Sequence, residues 1–515
     1  MKRILLPLLL VATPIMGQDI YRMESFSATD LNGTARFVGM GGAMSALGAD
    51  ISVMSTNPAG IGLFRRGDVA ATASLTAQPH AEKFNGIGRT RASFDQIGFV
   101  YAMNMGDFDG LKFVNIGVNY QKSRNFKNHI NVQNFATGGG MSQSWQMMDL
   151  AYSGGLLDLD NNEDRELTTP FTNLGYDTQL INPTVDSEGR VTGYSDADSY
   201  TYRRVQWGGA HELDFNIAAN INDRLYVGVT AKCFFLNQKS YTDYSEMLIN
   251  PDPNNNSLHE YFYLNDERTE GEGYSGSLGV IFRPNEDNPF RVGLTIHMPT
   301  YYSIETSSDL YMETPYASGS QNYTGCGDRV FNQYEVSTPW RFNLSMGNTF
   351  GGRLALGAEY EFYDAGAMTV TYDEGFTKDY ALKHEADRQM QFVHILRLGA
   401  EVILDYGLHM RFGYNYQSSP FKKSAYLNHF LDSSNYYYAT NTDYVNLGEL
   451  QRVTAGVGYR SGKWYADMAY QYQMQKADVY AFHVPEGSNN MTNRLQAAKV
   501  DLNRHNVQFT VGYKF

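Results

Sequence analysis

Apolar and polar residues alternate with a period of two in several segments of this chain. At the carboxy terminus, apolar residues stand at every second position from Val507 to Phe515, with polar residues or glycine between them. Residues 354–362 and 408–416 repeat the pattern. A period of two predicts β-strands whose two faces differ. The apolar face looks into the core of a soluble sandwich but toward lipid in a membrane barrel, so alternation alone leaves both folds open.

The lengths of the connections separate these two folds. The alternation predicts about fourteen strands. They cover residues 67–78, 94–103, 112–122, 211–221, 224–237, 274–283, 289–304, 340–350, 352–363, 391–403, 406–417, 451–461, 463–475 and 505–515. Even-numbered connections are tight, as at Asn222-Asp223 and Gly351, whereas odd-numbered ones are long, as at 123–210 and 418–450. Short turns on one rim and long loops on the other predict an all-β fold, a transmembrane antiparallel β-barrel of about 14 strands.

Composition and charge narrow the possibilities further. Of the 515 residues, 42% are hydrophobic and 19% are charged. No run of about twenty consecutive apolar residues exists, as a membrane-spanning helix would need. The formal net charge of -14 argues against nucleic acid as a partner. The cysteines and histidines show no metal-ligand spacing, and the acidic segment 158–164 departs from a calcium loop, so we expect no metal and no cofactor.

Three regions follow one another along the chain. Residues 1–17 contain two basic residues, a short apolar run and a terminal glycine, which predicts a secretory signal peptide. Residues 18–66 do not alternate and are rich in glycine. We predict that they form a hatch inside the barrel, because a pore of about fourteen strands is too wide for wall side chains to fill. Residues 67–515 are predicted to form the barrel and its long extracellular loops.

One turn of the hatch is a candidate gate. It consists of Asn57, Pro58, Ala59 and Gly60, in which the asparagine can bond nearby backbone and the proline fixes one dihedral angle. A conformationally fixed turn suits a gate. The glycine-rich segment 39–42 is not a phosphate loop, because no strand precedes it and no Lys-Ser/Thr follows it.

Several motifs together resemble the FadL/OmpP1/TodX family of outer-membrane transporters for hydrophobic compounds. They are the segment 42–50 and Asn57-Pro-Ala in the hatch, the segments 397–401 and 410–420, and the carboxy-terminal residues 511–515. The resemblance implies a fourteen-stranded barrel with an amino-terminal hatch that carries the Asn-Pro-Ala turn. It also implies passive uptake of fatty acid-like or aromatic compounds, with exit past the hatch or sideways through the wall of the barrel.

The resemblance implies partners and a location as well. We expect a hydrophobic small molecule as ligand, contact with outer-membrane lipid and lipopolysaccharide, and a monomeric barrel in the bacterial outer membrane. Catalytic residues are not expected, since no nucleophile motif or metal cluster is present in the sequence, and we predict that the protein is not an enzyme.

In a strand of the barrel every second side chain points into the lumen, and this rule selects two sets of candidate residues. Apolar residues that face the lumen are unneeded in a water channel, so we nominate them as the lining of a ligand pocket. They are Phe234, Leu236, Val393 and Ile395. The second set is charged, and its members either pair across the lumen, anchor the hatch or bind a ligand carboxylate. They are Arg341, Arg397, Glu401, Arg411 and Arg452.

Three questions stay open at the level of sequence. The loop 123–210, with Met147 and Met148, either presents an exposed apolar groove or forms a core that folds the insertion. A shuttle that binds secreted proteins in a Bacteroidetes-type secretion system is the alternative function. A passive porin is the third possibility, and it predicts substantial ion conductance.

Overall fold

The computed structural model describes residues 19–153, 159, 165, 168–182, 184–185, 187, 191–249, 259–315, 322–326, 329–372, 377–428, 439–487 and 490–515. The predicted signal peptide lies outside this part of the chain. None of the described helices is both long and apolar enough to cross a bilayer.

Most of the described chain is β-strand. The strands are β1 (Asp68–Ala77), β2 (Thr90–Phe108), β3 (Leu111–Asn125), β4 (Asn128–Met141), β5 (Thr184–Val185), β6 (Val191–Thr192), β7 (Asp196–Ile221), β8 (Leu225–Ile249), β9 (Glu260–Phe282), β10 (Arg291–His297), β11 (Tyr301–Pro315), β12 (Asn322–Cys326), β13 (Val330–Ser337), β14 (Arg341–Phe350), β15 (Leu354–Asp364), β16 (Thr369–Tyr372), β17 (Thr377–Lys378), β18 (Phe392–Ile403), β19 (Leu408–Gln417), β20 (Tyr444–Ser461), β21 (Trp464–Tyr480), β22 (Pro485–Gly487), β23 (Asn490–Asn493), β24 (Ala498–Asp501) and β25 (Arg504–Lys514).

Helices occur in the hatch, in the long connections between strands and in the tight turn between β18 and β19. The α-helices are α1 (Ile20–Ser27), α2 (Ala35–Gly39), α3 (Val53–Thr56), α4 (Gln143–Ser153), α5 (Pro170–Asp177) and α6 (Tyr380–Gln389), and the 3-10 helices are Pro58–Leu63, Ala365–Ala367 and Asp405–Gly407.

Fourteen strands close into an antiparallel barrel, which confirms the predicted fold class. Their order around the ring is β1, β2, β3, β7, β8, β9, β10, β14, β15, β18, β19, β20, β21 and β25. The ring closes where β25 pairs with β1, from Asp68 opposite Lys514 to Ala77 opposite His505. The Phe515 N–H then donates to the Gly67 carbonyl at 3.1 Å. Closure leaves no strand edge open to lipid at this seam.

The two faces of the wall have inverted polarity compared with a soluble protein. On β25, Phe509 and Val511 are 53% and 54% exposed, whereas Gln508 and Thr510 are 1% exposed. Leu356 of β15 and Phe412 of β19 are also exposed. The polar residues that alternate with the apolar ones on these strands, such as Glu359 and Arg411, are buried. An outward apolar face and an inward polar face are those of a barrel that spans a membrane, not of a sandwich with a dry interior.

Many strands run well past the segments predicted from alternation. β8 reaches Ile249 and β9 begins at Glu260, so most of the predicted loop 238–273 is a tall hairpin. The reason is that the outward face of these extensions carries polar residues, such as Lys239 and Asp243 of β8, so the alternation of apolar and polar residues fades. Inward apolar residues of the extensions pack with α4 and α5 into a buried cluster, which we call the dome.

The dome answers the question about the loop 123–210. Met147 and Met148 on α4 are fully buried in this cluster, and Trp145 packs against it. They contact Phe171 and Leu174 of α5 within the same apolar cluster. The methionines therefore form the core that folds the insertion and do not line an exposed groove.

Candidate functional site: the plugged lumen

The hatch lies inside the barrel and packs against its wall. Its apolar residues form a buried layer that includes Phe37, Val38, Met44 and Ile61. Above this layer, α1 stands in the lumen, and the dome covers the end of the barrel that carries the long connections. The described interior is thus a stack of apolar layers with polar side chains between them.

A row of inward glycines lets the hatch backbone approach the wall. Each lies on a different strand, and a side chain at any of them would meet the hatch. They are Gly98, Gly117, Gly228, Gly279, Gly293, Gly347, Gly357, Gly399, Gly413 and Gly456. A Cβ on Gly357 would lie 2.0 Å from the Ala43 carbonyl oxygen, and one on Gly399 would lie 2.4 Å from that of Met40. Such contacts are too short for any side chain, so glycine is needed here for space.

The predicted gate turn docks on this row. Asn57 is fully buried and caps the 3-10 helix by accepting the Ala59 N–H at 3.1 Å. A Cβ on Gly279 would lie 2.1 Å from Asn57 Oδ1, and a Cβ on Gly228 would lie 2.5 Å from the Pro58 carbonyl. The turn is therefore wedged against β8 and β9, and Gly60 is buried behind it.

The four apolar residues nominated from parity come together in one buried cluster around α1, which we call the pocket cluster. Phe234 and Leu236 of β8 are 7% and 4% exposed, and Val393 and Ile395 of β18 are 0% and 4% exposed. The helix supplies three further members, Ile20, Met23 and Phe26. The apolar face of α1 therefore fills the space between the two pairs of wall residues.

The charged residues nominated from parity also face the lumen, and they pair. Arg397 lies 2.8 Å from Glu361, and Arg341 contacts the same carboxylate at 3.3 Å. Arg411 lies 2.8 Å from Glu401 and 2.6 Å from Asp467.

The same charges hold the hatch. Arg36 of α2 lies 2.7 Å from Glu401, and Arg452 lies 3.2 Å from Asp30. Arg341 donates to the Ser27 carbonyl at the end of α1. Of the three roles that the sequence left open, contact with the hatch is the one seen in the geometry. The pairs within the wall join neighbouring strands, such as β14 with β15 and β18 with β19, and do not reach across the lumen.

Two polar cavities flank α1. The lower one, of about 120 Å³, lies between the pocket cluster and the hatch and is lined by Phe234, Ile395, Arg341 and Arg397. The upper one, of about 170 Å³, lies between α1 and the dome. Both are lined by Phe26, so α1 separates two spaces that the pocket cluster borders.

The wall has a gap beside the hatch. In the described chain the pairing of β2 with β3 ends at Gln96 opposite Gln121. The part of β2 that precedes Gln96 pairs with β1 alone among the described strands, while the end of β3 and the following β4 pair with β7.

Side chains bridge this gap in place of a backbone ladder. The Gln78 carboxamide donates to the His129 carbonyl at 2.9 Å and accepts the His129 N–H at 3.0 Å. The Lys127 ammonium donates to the Arg89 carbonyl at 2.5 Å. The connection between β1 and β2 therefore meets the start of β4 through side chains, which can move more readily than paired backbone.

Sequence reasoning missed three parts of this site. It did not find that α1 fills the pocket cluster, although Ile20, Met23 and Phe26 have helical spacing. It gave the inward glycines of the strands no role in holding the hatch, and it had no signal for the gap, which depends on strand pairing. Within the described residues no group of His, Cys, Asp or Glu could hold a metal ion, and the acidic segment 158–164 lies almost wholly outside them.

This geometry defines a class: a membrane-spanning β-barrel plugged by its own amino-terminal segment. No protein-family model matches the chain, and no curated protein sequence resembles it significantly. Solved structures do share the fold.

A Pseudomonas aeruginosa FadL homologue aligns over 95% of this chain and 99% of its own, with a TM-score of 0.52 and 12% identity. The P. putida toluene transporter TodX aligns over 94% and 99%, with a TM-score of 0.51 and 11% identity. The monoaromatic hydrocarbon channel CymD aligns over 95% and 99%, with a TM-score of 0.50 and 11% identity. The chain thus has the fold of FadL-type transporters from end to end, as the motif resemblance predicted.

Proposed function

We propose that this protein carries hydrophobic compounds, fatty acid-like or aromatic, across the bacterial outer membrane by passive uptake. The observation that supports this most is the pocket cluster, an apolar site inside a lumen whose wall also carries many buried polar and charged side chains. A water-filled pore gains nothing from such a site, whereas a carrier of apolar solutes needs one. The aligned structures are those of a FadL homologue, a toluene transporter and a hydrocarbon channel, which agrees with this function.

In this proposal α1 is the movable part of the pocket. Its side chains Met23 and Phe26 occupy the space that a ligand would fill, so ligand entry requires the helix to shift. The helix is held by the packing of its apolar face in the pocket cluster and by polar contacts, such as the Arg22 guanidinium on Glu267. Downstream, the turn from Asn57 to Gly60 acts as the gate toward the periplasm.

The gap between β2 and β3 offers a second exit. It opens beside Asp30 and Asn32 of the hatch, which bond to the bulged backbone of β3. A ligand released there would enter the outer leaflet directly, without crossing the hatch. We propose that lipid and lipopolysaccharide contact the apolar outer face, and that one barrel suffices for transport.

Transport rather than catalysis is the activity that we infer. The pocket cluster is built of aliphatic and aromatic side chains, and the buried charges nearby are engaged in ion pairs. The protein-shuttle alternative is less well supported, because the dome side chains of the described loops pack on one another and leave no large apolar surface there for cargo.

Uptake of a labelled hydrocarbon into proteoliposomes tests the function. Ile395→Gln places an amide in the pocket cluster and is expected to lower uptake about tenfold, since an unpaired buried amide costs over 1 kcal/mol. Leu396→Gln is the matched control, because Leu396 is the next residue on β18 and is 40% exposed on the outer face. Heat-modifiability on gels shows that both variants are folded. Equal uptake by both variants, or high ion conductance of the unaltered protein, would contradict the proposal.

A further inference from the structure

The upper cavity differs in chemistry from the pocket cluster beside it. Its volume is about 170 Å³, roughly tenfold more than the 10–15 Å³ that one water needs. Its wall carries amides and hydroxyls from β8, β9 and β21, including Gln238, Thr242, Asn265 and Gln475. A space of this size and polarity can hold a group with several hydrogen-bonding atoms.

Some of the lining atoms have no partner. Asn265 is 4% exposed, and its amide nitrogen donates to Thr440 Oγ1 at 3.2 Å. Its Oδ1 atom is buried and meets no donor among the described residues. The same holds for Arg204 Nε and Arg504 Nε, which also lie on residues of the cavity wall. Buried acceptors and donors without partners are costly unless a ligand or water satisfies them.

The charges around this cavity are balanced. Four arginines and four carboxylates lie on its wall. The pairs are Arg22 with Glu267, Arg204 with Asp443 at 2.7 Å, and Arg124 with Glu24 at 3.7 Å. An anionic head would have to compete with a carboxylate for three of the four arginines, whereas a neutral head need not. The fourth, Arg504, donates to the Asn125 carbonyl at 3.3 Å.

Apolar side chains connect the cavity to the pocket cluster. Phe26, Phe126 and Phe421 line the cavity and belong to that cluster. A ligand can therefore place a polar end in the cavity and an apolar body among these rings once α1 shifts.

We infer that the upper cavity is a head-group site for a neutral, polyhydroxylated amphiphile such as an alkyl glycoside. Hydroxyl groups both donate and accept, so they can satisfy Asn265 Oδ1 and the arginine Nε–H groups at the same time. The inference rests on the proposed uptake function and names the chemical class of its substrate.

Binding to the full-length protein in lipid nanodiscs tests this assignment with three labelled probes that share one alkyl chain. They are dodecane, dodecanoate and dodecyl β-glucoside. We expect the glucoside to bind about tenfold more tightly than dodecanoate. Asn265→Leu should remove most of that advantage and leave dodecane binding unchanged.

Isosteric variants keep the test independent of folding defects. Thr242→Val removes a hydroxyl from the cavity wall without changing volume, and it should lower glucoside affinity severalfold. Thr314→Val is the control, because Thr314 is a buried hydroxyl that donates to the Thr178 carbonyl at 2.6 Å, and neither residue lines the cavity.

The possible results separate the two proposals. If dodecane and dodecanoate bind but the glucoside has no advantage, the head-group site is wrong and the uptake function stands. If the glucoside advantage persists in both cavity variants, its site lies elsewhere and the assignment is overturned. If none of the probes binds, both the uptake function and the head-group site are refuted.

Discussion

The guanidinium of Arg452 lies 3.2 Å from the carboxylate of Asp30, and this ion pair joins β20 to the hatch. The same carboxylate accepts the Asn125 N–H at 2.8 Å, and the Asp30 N–H donates to the Ser123 carbonyl at 2.8 Å. One hatch residue therefore holds both β20 and the bulge of β3 next to the gap in the wall.

Loss of the Asp30 charge should loosen the hatch. Arg452 is only 2% exposed, so Asp30→Asn leaves a buried cation without its carboxylate. Removing one partner of a buried pair costs about 3 kcal/mol. We expect a lower unfolding midpoint in denaturant and faster proteolysis within residues 19–66.

A second substitution checks the cause. Asp30→Asn combined with Arg452→Met removes both charges and should recover most of the lost stability. A double variant that is less stable than the single one by the full cost of Arg452→Met would show that the two residues act independently.

The glycine row should not tolerate side chains. Gly357→Ala puts a methyl group 2.0 Å from the Ala43 carbonyl, and overpacking of this kind costs about 1–3 kcal/mol. We expect the hatch to dock poorly and single-channel conductance to rise. Gly88→Ala is the control, because nothing lies within 4 Å of its added Cβ. Equal conductance of the two variants would argue against backbone docking.

The outer apolar face should reject charge. Phe412 is 54% exposed near the middle of β19, so Phe412→Arg is expected to destabilise the folded barrel in lipid by about 2–4 kcal/mol. Phe412→Leu keeps the face apolar and should have a small effect. Unfolding of both variants in vesicles, followed by heat-modifiability, measures the difference. A stable arginine variant would mean that this face does not meet hydrocarbon.

The side-chain bridge across the wall gap should control the lateral exit. Gln78→Leu removes both hydrogen bonds to His129, each worth about 1 kcal/mol. We expect faster transfer of a hydrocarbon probe into the membrane around the barrel. Gln133→Leu is the control, since Gln133 is an exposed residue of β4 that bonds only Asn131 among the described residues. Slower or unchanged transfer in the Gln78 variant would place the exit elsewhere.

The sequence was sufficient to predict the strands of the barrel wall and many of the side chains that face the lumen. Strict alternation, as from Val507 to Phe515, encodes which side chains face lipid, and the lengths of the connections encode the number of strands. The same parity placed Phe234 and Ile395 in the lumen, where they lie in one cluster. The gate role of Asn57 and the ligand-binding role of the pocket cluster stay predictions.

What the sequence could not provide depends on contacts between distant segments. Ile20 and Met23 precede the first strand, and only the folded chain places them between β8 and β18. The gap near Gln96 arises from a change of partner along β2, which no local pattern records. The lengths of the strands were also underestimated. β8 reaches Ile249 and β9 begins at Glu260, beyond the part of each strand where apolar and polar residues alternate clearly.

The inward glycines have a mechanical consequence. Where the hatch backbone rests on them, no side chains interlock, so the hatch can turn or slip along the wall without driving buried groups through eclipsed rotamers. Buried ion pairs, such as Arg36 with Glu401 and Asp30 with Arg452, then hold the hatch together with its apolar layer. Opening would have to break those pairs, and because salt screens buried pairs only weakly, its rate should vary little with ionic strength.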